Sequence, residues 1–112
     1  MFKSILVAAT VLAASATAFA AEPIVGHWKA PGGGIVDISP CGGGFCATVI
    51  SGEHKGKDAG TMSGSGAAYE GTVTDPRDDN TYSGSAKVEG DTMNLTGCAL
   101  KVLCKTQVWV RV

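Results

Sequence analysis

Four cysteines, spaced Cys41-x4-Cys46 and Cys98-x5-Cys104, are the residues of this chain whose type and spacing could most directly do chemistry. A redox dithiol would need C-x2-C, and neither pair has that spacing. Four thiolates could hold zinc, whose structural knuckles use C-x2-C to C-x4-C, or they could oxidise to two disulfides. Each pair brackets one turn between two extended segments, where cross-strand Cβ atoms come within bonding reach. Cys41–Cys46 and Cys98–Cys104 are therefore the expected bridges, with pairing between the two loops and a metal site as the alternatives. Each local bridge should add roughly 2 kcal/mol.

The remaining titratable residues offer less. Gly26-His27-Trp28 opens the first extended segment, and alternation puts His27 on the face opposite Trp28, towards solvent. Glu53-His54-Lys55-Gly56-Lys57-Asp58 lies in the most polar stretch, with no helix to fix its geometry. Asp75, Asp78, Asp79 and Asn80 lack the spacing of a calcium loop and read as a turn around Pro76. The runs Gly32–Gly34 and Gly42–Gly44 do not end in Gly-Lys-Ser/Thr, so they are not phosphate cradles. Asn94-Leu95-Thr96 is a glycosylation sequon in form only, expected to be unmodified. No serine, cysteine or lysine has an adjacent base, and no carboxylate pair sits among apolar residues. Neither catalytic residues, nor a metal, nor a cofactor is expected, and the chain does not read as an enzyme.

The elements that position these residues begin after a leader. Lys3 precedes an uninterrupted small and apolar run from Ile5 to Ala21 that contains Ala18-Phe19-Ala20. This is the charged, apolar and small-residue order of a secretory signal peptide. Residues 1–20 are the expected signal peptide, cleaved after Ala20, and residues 21–112 a single domain. The destination is periplasmic or secreted, an oxidising compartment that suits disulfides. Of 9 basic and 10 acidic residues only Lys3 falls in the leader, so the net charge moves from −1 to −2 on cleavage. Near neutrality with no basic stripe excludes nucleic acid as a partner, and no stable membrane insertion is expected.

All 16 glycines follow the leader, a density that calls for short strands and tight turns. No segment shows a helical apolar repeat. Short alternating runs occur instead at residues 24–29, 35–39, 45–51, 69–74, 81–88, 93–96 and 105–112, with one doubtful strand at 61–63. Val36 and Ile38 share one face, Asp37 and Ser39 the other. Residues 52–67 read as the longest irregular stretch. Trp28 near the start and Trp109 with Arg111 at the end suggest adjacent first and last strands, with the guanidinium stacked on an indole. The pattern predicts an all-β antiparallel barrel or sandwich.

Gly26-His27-Trp28, the run from Gly33 to Cys46, Asp75-Pro76 with Thr81-Tyr82-Ser83-Gly84, and Gly97-Cys98 through Val112 together resemble a bacterial family catalogued as domain of unknown function 2147. The resemblance implies an exported protein with a lipocalin-like fold: a small antiparallel β-barrel of about eight strands. Members carry a longer Asp-, Asn- and Pro-rich connection where this chain has only residues 52–68. The family brings no established activity. Two functions are consistent with such a barrel. One is carriage of a small apolar ligand among Trp28, Val36, Ile38, Val49, Tyr69, Val73, Met93 and Leu95, with Ala47, Gly71 and Ala86 leaving room. The other is a protein-interaction module, inhibitor-like, that engages a protein partner through residues 52–67 or the stapled turns.

Overall fold

The computed structural model describes residues 22–100 and 102–112; the leader and its cleavage motif lie outside the described residues. Eight strands follow in order: β1 (Gly26–Lys29), β2 (Ile35–Cys41), β3 (Gly44–Val49), β4 (Asp58–Ser65), β5 (Ala68–Thr74), β6 (Thr81–Glu89), β7 (Thr92–Ala99) and β8 (Leu103–Arg111). Each pairs antiparallel with the next, and β8 returns to β1 to close a barrel. The closing seam pairs Trp28 with Arg111 and Lys29 with Val110, so the first and last strands are neighbours, as expected.

Alternation explains most of the strands. In β2, Val36 and Ile38 are buried while Asp37 and Ser39 face outwards; in β7, Met93 and Leu95 do the same between polar neighbours. Polar turns join them. Asp75 and Asn80 close the β5–β6 connection through the Asp75 amide, which donates to the Asn80 carbonyl (2.9 Å). Because consecutive strands reverse direction, the connections alternate between two barrel ends. The β1–β2, β3–β4, β5–β6 and β7–β8 connections share one end. The other three share the opposite end with Glu22 and Val112.

The expected irregular stretch at 52–67 is corrected by the structure. Only its first half is a loop; the doubtful strand at 61–63 is the middle of β4, a full strand of 8 residues. A bulge hides it from alternation. Ala47 pairs with Gly60 and Thr48 with Asp58, so Ala59 is an extra residue and the inward parity shifts within the strand. Ala59 and Met62 are consequently both buried, an odd spacing that reads as no pattern.

The interior is filled. Trp28, Tyr69, Ile24 and Met93 are its largest fully buried side chains, with Val36, Ile38, Val49, Val88, Leu95 and Trp109 around them. Gly71, one of the small residues expected to leave room, does the opposite. A Cβ on Gly71 would collide with the Thr61 carbonyl oxygen, and one on Gly60 with that of Thr72. These glycines let adjoining strands bend into close approach, which draws the wall inwards. A gap of about 20 Å³ lies inside the barrel, between Ile24, Ile38, Met93 and Trp109.

Both disulfides form locally, Cys41 to Cys46 and Cys98 to Cys104, and no described cysteine is free. They sit at opposite ends of the barrel. Cys98 and Cys104 are direct cross-strand partners in the β7–β8 register, with Cα atoms 4.0 Å apart.

Candidate functional site

All six residues singled out for ligand contact (Trp28, Val36, Ile38, Tyr69, Met93 and Leu95) come together inside the barrel, where they are core. The gap beside them, bordered by Ile38, Met93 and Leu95, holds about one water. A pocket for a drug- or lipid-sized molecule occupies roughly 300–1,000 Å³. Much of the space is taken by Ile24, which the sequence placed at the start of the first strand. It is fully buried ahead of β1, and its carbonyl accepts the Trp28 indole N–H (2.9 Å).

Residues 22–25 thus cross one barrel end as a strap, tied at both sides. On one side Glu22 Oε1 accepts the Gly66 amide (2.8 Å) and lies 3.4 Å from the Tyr69 hydroxyl, which donates to the Gly66 carbonyl (2.7 Å). Burial raises the Tyr69 phenol above its ordinary value, with the Glu22 carboxylate adding to the rise. On the other side Arg111 donates to the carbonyls of Val25 (3.1 Å) and Pro23 (2.7 Å) while its guanidinium lies over Trp28. The stacked contact anticipated from sequence is present.

The polar candidates do not converge. His27 is exposed and pairs with Asp37 across β1 and β2 (3.1 Å), while Ser39 Oγ donates to the other Asp37 oxygen (2.5 Å). The serine and histidine thus meet only through the carboxylate, with no serine–histidine hydrogen bond to generate a nucleophile. Lys57 reaches Asp79 (3.4 Å), joining the β3–β4 and β5–β6 connections. Asp75 accepts from the Arg77 amide and guanidinium, which hold its carboxyl down at about 2. No group of three or more metal-ligating side chains occurs among the described residues.

The feature least expected from the sequence is the end of the β7–β8 hairpin. Leu100, Val102 and Leu103 are 84%, 77% and 67% exposed there, the three most exposed large apolar residues described. Residues 103–107 are exposed on both faces, so the hairpin projects past the barrel wall. Leu100 also has φ of 54°, the left-handed region in which an L side chain is strained and Gly or Asn is usual. The Cys98–Cys104 bridge braces the hairpin directly behind these residues. The signal was legible as Leu100-Lys101-Val102-Leu103, an apolar run where a hairpin turn should be polar.

A closed eight-stranded antiparallel barrel with a packed interior and two surface disulfides defines the class of protein. Residues 59–111 match the model of a bacterial family described as "Uncharacterized protein conserved in bacteria (DUF2147)". The resemblance read from the sequence is thereby borne out from β4 to the end of β8. No curated protein and no solved structure matches the chain.

Proposed function

We propose that this protein is an exported, non-enzymatic interaction module that inserts the tip of its β7–β8 hairpin into an apolar groove of a partner protein. The observation that carries this reading is Leu100. A leucine held at positive φ, exposed, on a disulfide-braced tip stores strain of about 1–2 kcal/mol that a glycine would remove. Strain kept at an exposed position is characteristic of contact sites. The two disulfides suit a periplasmic or secreted location, with the leader removed after Ala20. Carriage of an apolar ligand is less well supported, because the lumen is occupied by the protein's own Ile24 and its neighbours.

A benzophenone amino acid at position 102, activated by light in the native bacterium, tests the proposal. A discrete protein adduct, absent when Leu100 and Leu103 are replaced by serine in a chain of unchanged circular dichroism, is expected. Adducts to lipid alone, or none, would overturn it. Native mass spectrometry of the purified protein should give the mass of the polypeptide from Ala21 onward, or a whole multiple of it, with no small molecule bound. A co-purifying lipid-sized mass would restore the carrier reading instead.

A further inference from the structure

The barrel is closed by an unequal pair. β1 is 4 residues long and β8 is 9, and their register covers only Lys29–Val110 and Trp28–Arg111. Beyond Lys29 the chain turns away, with the Ala30 amide donating to Gly34. Along Leu103–Val108, β8 is therefore paired with β7 on one side, and on the other no strand among the described residues meets it.

Which backbone groups face that open side follows from two bonds. The Arg111 amide donates towards β7, to the Asp91 carbonyl, whereas the Val112 amide donates to the His27 carbonyl in β1. Direction alternates along a strand, and the β7–β8 register is unbroken from Val110 to Leu103. Cys104, Thr106 and Val108 therefore turn both N–H and C=O outwards, away from the barrel. The disulfide agrees: a Cα separation of 4.0 Å marks Cys98–Cys104 as a pair without mutual backbone bonds.

Proteins guard such edges with proline, bulges or clustered charge. This one has no proline and no bulge, and Lys105 is its sole charge. We infer that the open edge of β8 pairs with the same edge of a second copy, antiparallel about a two-fold axis centred on Thr106. A two-fold between identical antiparallel strands must pass through a residue, because residues opposite each other point to the same face. Centring on Thr106 engages all three outward-facing residues, setting Cys104 opposite the partner's Val108, and forms about six backbone hydrogen bonds. Lys105 then faces the partner's Gln107. Centring one residue earlier would set Lys105 against the partner's Lys105, a like-charge contact that destabilises. The Thr96–Thr106 hydroxyl pair (2.8 Å) continues across the axis to the same pair in the second copy. This contact uses the side of the hairpin and goes beyond the proposed use of its tip.

Sedimentation of the purified protein with variants at Thr106 tests the inference. The wild type should show a concentration-dependent dimer. Thr106→Glu and Thr106→Lys should each raise the dimer dissociation constant at least ~10-fold through like charges on the axis. An equimolar mixture of the two should restore a heterodimer. Thr106→Pro, which removes an outward amide without touching the bonds to β7, should also be monomeric, with unchanged circular dichroism. A wild type monomeric up to ~1 mM, at which a dimer would be worth only about 4 kcal/mol, would overturn the inference. So would a dimer indifferent to all three variants, or a mixture that stays monomeric. The crosslinking result at position 102 stands apart from each of these outcomes.

Discussion

The guanidinium of Arg111 lies 4.2 Å from the ring centre of Trp28, its cross-strand partner at the seam where the barrel closes. The same side chain donates to Pro23 and Val25, and its Nε lies 3.4 Å from Asp91. One residue thus joins the last strand to the first and both to the strap. Arg111→Ala should cost about 2–3 kcal/mol in chemical denaturation, combining a stacked cation with charged hydrogen bonds. Arg111→Lys should recover less than half of that, since an ammonium has no planar fork to reach two carbonyls while stacking.

Gly71 has no room for a methyl group, because its Cβ direction runs into the backbone of β4 at Thr61 and Met62. Gly71→Ala should destabilise by about 1–3 kcal/mol by forcing β4 and β5 apart. Gly34→Ala is the control, since nothing lies within 4 Å of its Cβ position. Equal melting temperatures for the two variants would contradict the close approach.

Leu100 should behave in the opposite sense. Leu100→Gly is expected to stabilise the isolated protein by about 1 kcal/mol, by relieving positive φ at no cost in packing. The same variant should lose the crosslink from position 102. A gain in stability with loss of contact is the pattern of a residue retained for recognition.

Replacing Cys98 and Cys104 together by serine should cost about 2 kcal/mol, with the loss read in urea unfolding of the oxidised protein. Peptide mapping without reduction should show Cys41 joined to Cys46 and Cys98 to Cys104.

Acid should report on Asp75. Its carboxyl titrates at about 2 in the folded chain, against 3.8 ordinarily, because Arg77 bonds its charged form. The stability this confers is fully present above about pH 4 and is lost as pH falls through about 2. The wild type should therefore exceed Asp75→Asn in melting temperature at pH 5, and the gap should narrow as pH falls to about 2 and close below it. A gap independent of pH would mean that the Asp75–Arg77 bond contributes nothing through its charge.

Much of the fold was legible because burial on one face writes itself as period two. Val36 and Ile38, Ala86 and Val88, and Met93 and Leu95 each mark an inward row, and the two terminal tryptophans mark the seam. Of β4 only the doubtful strand at 61–63 was legible, since the extra residue at Ala59 breaks the period and its glycines carry no apolar signal. The state of the lumen could not be read either. Gly71 looks like space in a sequence, yet a missing side chain also lets strands close in, and that depends on where neighbouring carbonyls fall. Ile24 continues the apolar pattern of β1, so nothing local distinguishes a strand residue from one folded into the barrel end. The exposed tip was visible as residue types, but its projection beyond the wall depends on the relative lengths of β1 and β8.

Because the strap and Val112 leave the barrel at the end opposite the β7–β8 hairpin, handles fused before Glu22 or after Val112 would keep clear of it. A sensor chip loaded through either handle would display Leu100 and its neighbours uniformly to the solution. The molecule is thus oriented in advance for use as immobilised bait.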